Sequence, residues 1–215
     1  TGDYVKVPFG KSIITGVIWN EFEKTKKKKF KIKKILEKIN IEPLKNETID
    51  FLNLFSEYNL VPKGMCLKLH LLSGEAIVPF DKKEYEQHNK FDKKVDFKLS
   101  IEQTKILKEV LKNSEKFRVH LLQGTTGSGK TIVYFKALED KLNKGLQALI
   151  LLPEIGLTSE FEKKFKEYFG FDAAVWHSAI TPKRKKIIWS GLATGKIKAV
   201  IGARSSLFLP FKKLG

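Results

Sequence analysis

A chain of 215 residues with 42% hydrophobic and 11% aromatic content can bury one large core or two modest ones, which excludes general disorder. Its 41 Lys and Arg against 24 Asp and Glu give a net charge of +17 and a pI near 9.7. That field suits a polyanion, although a codon bias towards lysine accounts for the same excess. A single cysteine, Cys66, excludes an internal disulfide and a thiolate-rich zinc site and suits a reducing cytoplasm.

The opening Thr1-Gly2-Asp3-Tyr4 lacks the charged-then-apolar order of a signal peptide, and no window holds the ~18 apolar residues of a membrane span. With no initiator Met, and with Leu214-Gly215 ending directly after an apolar run, both ends are expected to be cuts in a longer chain. Residues 1–43 alternate β-type runs, Tyr4–Val7 and Gly16–Trp19, with the turn-formers Pro8, Gly10 and Asn20, and predict part of a small β-rich domain. Between its strands Lys26–Lys29 reads either as a DNA-phosphate contact or as a solvated loop. From Pro43 the pattern becomes helical. Ile49, Leu52, Phe55 and Leu60 form a stripe, and a second apolar segment, Met65–Leu72, starts behind Pro62 at a first helical position. Residues 44–80 therefore predict a reduced, winged-helix-like helical region, and the lysine-rich residues 81–98 a basic linker.

The third region, 99–215, opens with Ser100 as a helix N-cap and Gln103 at capping-box spacing, followed by Ile106, Leu107, Val110 and Leu111 on one face. Strands are then expected at Val119–Gln123, Gln147–Leu152, Ala173–His177 and Ala199–Gly202, alternating with helices at Thr131–Leu142, Thr158–Phe169 and Pro182–Leu192. Such β/α succession gives an α/β fold with a parallel sheet, because each crossover returns the chain to the same end.

Between the first of these strands and its helix lies Gly124-Thr125-Thr126-Gly127-Ser128-Gly129-Lys130-Thr131, a complete P-loop. Its glycines let backbone N–H groups wrap a phosphate, and the helix adds its positive N-terminal end. Lys130 is the candidate for the β- and γ-phosphates of ATP, and Thr131 for Mg²⁺.

Gly124–Tyr134, Leu152–Thr158, His177-Ser178 and Ile201–Phe211 together closely resemble the primosomal replication-restart helicases, the primosomal protein N′ family. Tyr4–Gly10 is similar to part of that family's DNA-end-binding domain, so the resemblance covers nearly all of the chain. It implies that residues 99–215 are most of a first RecA-like lobe of a 3′-to-5′ DNA helicase that uses ATP to restart stalled replication forks. By the same resemblance Gln103 matches the adenine-reading glutamine, although helix capping explains it too. Thr158, and then Arg204, Ser205 and Ser206, match positions that touch the DNA backbone. Implied partners are DNA forks and single strands, single-strand-binding protein and primosome loading proteins; the implied location is the bacterial cytoplasm and nucleoid. Ile132 stands where the family has Glu, and Thr125 where it has Val. Absent from the sequence are the family's aromatic-acidic segment, its Asp-Glu-Glu-His motif, its second lobe with the arginine finger and its zinc-binding cysteines. Negligible hydrolysis by the isolated chain follows. Another P-loop DNA translocase, or a non-catalytic DNA-binding module, stays open as an alternative.

Overall fold

The computed structural model describes residues 1–19, 33–72, 97–112, 115–153 and 159–215, which form two compact units. The first comprises Thr1–Glu84, Ala179–Thr194 and Leu207–Pro210; the second comprises Tyr85–Ser178, Gly195–Ser206 and Phe211–Gly215.

In the first unit, β1 (Tyr4–Phe9) pairs antiparallel with β2 (Ser12–Val17), from Tyr4 opposite Val17 to Phe9 opposite Ser12. The two-residue connection places Gly10 at φ 60°, the left-handed conformation that matches the twist of a tight hairpin. On its other edge β1 pairs with β3 (Glu37–Lys38) only at Val5 and Lys6. Pro8, which has no N–H to give, therefore lies beyond that second ladder.

The helical pair expected after Pro43 is present as α1 (Asn46–Tyr58) and α2 (Lys63–Leu71), with Pro62 as the N-cap of α2. Ile49 and Leu52 on α1 and Cys66, His70 and Leu71 on α2 are buried. Leu60, expected on the α1 stripe, is instead 92% exposed. The helix has already ended, and Leu60 (φ 53°) turns the chain towards α2. The Lys26–Lys29 run and residues 81–96 of the expected linker lie outside the described residues.

α6 (Pro182–Ala193) completes the first unit, capped by the Thr181 hydroxyl on the Arg184 N–H and started by Pro182. Its residues Ile188–Leu192 are all buried, so in its last turns it is a core helix covered all round. Trp189 meets Tyr4 and His70 edge-on, with ring centroids 5.8 and 5.7 Å apart. The polar atoms of this cluster are paired. Nδ1–H of His70 donates to the Phe208 carbonyl (2.8 Å), which leaves Nε2 to accept from the Tyr4 hydroxyl (2.8 Å). The Trp189 indole N–H donates to the His70 carbonyl at 2.8 Å.

The second unit holds α3 (Ile101–Leu111), α4 (Lys130–Asn143), β4 (Ala148–Leu151), α5 (Ser159–Phe169), β5 (Ala174–Trp176) and β6 (Ala199–Gly202). The three strands form a parallel sheet in the order β4-β6-β5. Every residue of β5 and β6 is buried, the continuous apolar pattern of strands covered on both faces. Phe135 of α4 packs with Phe165, Tyr168, Phe169 and Phe171 in the core. Gln147 pins the sheet from below. Its buried amide donates to the Ile197 carbonyl (2.7 Å) and accepts from the Lys213 N–H (2.8 Å).

The strand expected at Val119–Gln123 does not form: residues 117–125 are irregular, with Val119 84% and Leu121 92% exposed. A strand is made by its ladder as much as by its side chains, and no described strand pairs with this run. No helix among the described residues is long and apolar enough to cross a membrane.

Burial holds the His70 pKa at about 4, below the usual 6.5, against a smaller upward pull from the Phe208 carbonyl. The folded chain thus keeps His70 neutral while the unfolded chain protonates it below 6.5. The stabilisation is complete above pH 6.5 and is lost as pH falls towards 4, by about 3 kcal/mol. Chemical denaturation between pH 7 and 4 should show this loss, and the His70→Leu chain, less stable at pH 7, should show a shallower dependence across that window.

Candidate nucleotide and nucleic-acid site

The P-loop begins in exposed chain and ends as the first turn of α4. Gly127 (φ 82°) and Gly129 (φ 80°) both adopt the left-handed conformation that turns successive N–H groups towards one centre. Gly129 is the N-cap of the 14-residue α4, so Lys130 and Thr131 occupy the first helical positions, where backbone N–H groups have no helical partner. The Lys130 ammonium sits inside the loop, 2.7 Å from the carbonyl oxygens of both Gly124 and Thr125. A phosphate oxygen, being charged, is a stronger acceptor for the same group. The Ser128 N–H donates to the Thr125 carbonyl at 3.3 Å and closes the turn.

Gln103 does more than its sequence spacing predicts. The capping box is complete: Ser100 Oγ accepts from the Gln103 N–H (3.1 Å), and Gln103 Oε1 accepts from the Ser100 N–H (2.9 Å). The remaining end of the amide, Nε2, donates to the Ser128 carbonyl in the P-loop at 3.1 Å. The left-handed φ of 80° favours glycine at 129, and a Cβ there would also displace the Gln103 amide from this contact. Both polar ends of Gln103 are thus engaged in joining α3 to the loop, and reading adenine requires it to exchange those partners. Spacing alone revealed the cap; the tie to a residue 25 positions away had no local signal.

The expected DNA-contacting residues divide. β6 ends at Gly202, and a 3₁₀ helix, Arg204–Phe208, follows at its carboxyl end. β4 ends at the same edge, since the two strands are parallel with Leu151 opposite Gly202. That edge is where open parallel sheets present loops to ligands. Arg204 and Ser205 are exposed there. Ser206 does not join them: it is fully buried, and its hydroxyl donates to the Ala203 carbonyl at 2.5 Å. Its side chain lies against Gly202, where any Cβ would meet the Ser206 Oγ at 2.7 Å. Ser206 therefore pins the turn that presents Arg204. Pro153 follows β4, while Thr158 lies outside the described residues.

The loop fits a nucleotide triphosphate by this chemistry: left-handed glycines, a half-buried helix N-terminus and a primary amine within one cradle. For Mg²⁺ this chain offers the Thr131 hydroxyl at the first turn of α4; among the described residues no group of three His, Cys, Asp or Glu converges on a metal position.

Comparison with known proteins agrees with this geometry. The family model described as DEAD/DEAH box helicase matches residues 100–214, and that of the 3′DNA-binding domain matches residues 1–71. The replication restart protein PriA of Rickettsia conorii is 39% identical over 214 residues, covering 100% of this chain and 32% of the relative. The Rickettsia felis protein of the same name is 41% identical over 215 residues with the same coverages, and that of Bacillus subtilis is 42% identical over 48% of this chain and 13% of the relative. The chain thus spans about a third of the Rickettsia relatives it matches. Among solved structures, RecG bound to a three-way DNA junction is similar at 36% identity and a TM-score of 0.50, over 56% of this chain and 18% of that one.

Two substitutions separate the roles of Gln103. Gln103→Glu retains an acceptor for the Ser100 N–H but has no N–H for Ser128, and it brings negative charge to the loop. It should leave α3 stable and weaken binding of a fluorescent ATP analogue by about tenfold or more, since charge-assisted contacts are worth about 1.5–3 kcal/mol. Gln103→Ala should also destabilise α3, by about 1 kcal/mol. Hydrogen exchange at α3 alongside the nucleotide titration distinguishes them.

Proposed function

The chain belongs to the DEAD/DEAH box helicase family, and from that premise we propose that it is the ATP- and DNA-binding portion of a 3′-to-5′ DNA helicase that recognises stalled replication forks and restarts replication. The observation that carries the reading is the ordered glycine loop opening α4, with Lys130 and Thr131 at its first turn. In this reading Lys130 exchanges its two carbonyl partners for β- and γ-phosphate oxygens, the loop N–H groups and Gly124–Gly129 wrap the phosphates, and the Thr131 hydroxyl takes a place on Mg²⁺. Mg²⁺ held there would supply neutralisation of the phosphate charge. Gln103 holds the loop open against α3 and turns to adenine when the base arrives.

DNA binding is assigned to both parts. The match of residues 1–71 to a 3′DNA-binding domain supports fork or 3′-end recognition there. In the second part the Arg204 guanidinium offers a bidentate phosphate contact, with the Ser205 hydroxyl beside it. Residues 99–215 carry 21 basic against 10 acidic groups, residues 1–98 carry 20 against 14, and the field is thus stronger in the P-loop part. The similarity to RecG bound to a three-way DNA junction supports a branched DNA substrate. Single-strand-binding protein and primosome loaders are the proposed protein partners, and the bacterial cytoplasm, at the nucleoid, is the proposed location. The sequence has no Asp-Glu-Glu-His run to hold Mg²⁺ and position water, so the chain alone is assigned nucleotide binding with negligible hydrolysis.

A fork-DNA and nucleotide titration tests the reading. Lys130→Ala should abolish saturable binding of the fluorescent ATP analogue in the presence of Mg²⁺ without unfolding α4. With about four phosphates neutralised, log affinity for a single strand should fall with log salt at a slope of about −3. Robust phosphate release by the pure chain contradicts the assignment of negligible hydrolysis. Fork binding indifferent to ATP and to Lys130→Ala reduces the chain to a DNA-binding module.

A further inference from the structure

Family boundaries and packing boundaries do not coincide in this chain. Tyr4 and His70 belong to the stretch matching the 3′DNA-binding domain, whereas Trp189 and Phe208 belong to the stretch matching the helicase. All four lie in one compact unit. His70 and Trp189 are 0% exposed, Tyr4 is 2%, and each side-chain polar atom among them has a partner at 2.8 Å. Phe51 and Phe55 of α1 close on the Phe208 ring at centroid distances of 5.5 and 5.0 Å. The two helicase-stretch pieces held in this way, Ala179–Thr194 and Leu207–Pro210, flank Gly195–Ser206 in sequence, the segment that carries β6 and Arg204.

We infer that the Tyr4–His70–Trp189 cluster is a fixed joint that makes α6 open together with residues 1–71 rather than with α4 and α5. The physical basis is that a fully paired buried polar cluster has few alternative arrangements. Breaking one member strands the others: without the imidazole, the Tyr4 hydroxyl and the Phe208 carbonyl are left unmatched in an apolar setting. The α6 residues around Trp189 are also buried all round, so the helix cannot shift without opening this core.

Native-state hydrogen exchange on the full chain, without DNA or nucleotide, tests this. Amides of α6 should share their opening free energy and denaturant dependence with α1 and α2, and differ from α4 and α5. His70→Leu should speed exchange in α1, α2 and α6 together by about tenfold or more, leaving α4 and α5 unchanged. Trp189→Phe, which keeps a ring but loses the N–H, should move the same set by less. If His70→Leu fails to fold, the unsubstituted chain and Trp189→Phe still decide. Exchange of α6 that follows α4 and α5, or that stays fixed while α1 and α2 accelerate, overturns the joint.

Discussion

The hydrogen-bond ladder on β6 is the constraint from which the second unit follows. Both β4 and β5 pair parallel to it, so each must return the chain to its starting edge through a long crossover. α5 makes that return between β4 and β5, and α6 makes it between β5 and β6. Parallel strands also finish at one edge, which fixes where Arg204 and the segment after β4 emerge. The core then has to fill around fully covered strands. Phenylalanines at 135, 165, 169 and 171 do so with edge-on and tilted ring contacts, a geometry that suits aromatic quadrupoles better than face-to-face stacking.

Two glutamines show how the polar exceptions are placed. Gln147 is buried at the start of the sheet and Gln103 lies at the start of α3, and each spends both ends of its amide. Gln147 bridges the Ile197 and Lys213 backbones, so three separate stretches meet at one side chain. Gln103 bridges the Ser100 and Ser128 backbones, so the loop conformation and the helix cap are set by the same group. An amide suits this work because it carries donor and acceptor a fixed distance apart, and neither end is left dry.

Much of this was legible in the sequence because the signals are local. The spacing of Ser100 and Gln103 gave the capping box, the apolar runs gave β4, β5 and β6 to within a residue or two, and the glycines at 124, 127 and 129 gave the loop. What local pattern could not give were facts that depend on distant partners. Val119–Gln123 has the composition of a strand but no described neighbour to pair with. Leu60 continues the helical stripe on paper, yet lies past the helix end. Ser206 belongs to a DNA-contacting motif by resemblance, but its hydroxyl faces Ala203 because Gly202 leaves room for it. His70 carried no signal at all, since an interior histidine on a short helix without a clear apolar stripe is indistinguishable in sequence from one facing water.

The same distinction bears on what a domain is in this chain. Sequence similarity groups residues by common descent of a motif order, and so places α6 with the P-loop stretch. Packing groups residues by which groups must open together, and Trp189 is enclosed by Tyr4 and His70. A crossover helix is well suited to serve both groupings. The identity of its buried side chains remains open to selection by whatever core surrounds it. In α6 that freedom has gone to an indole that donates to the backbone of α2. The Thr181 cap and Pro182 decide where α6 begins, and the aromatic cluster decides which core it belongs to.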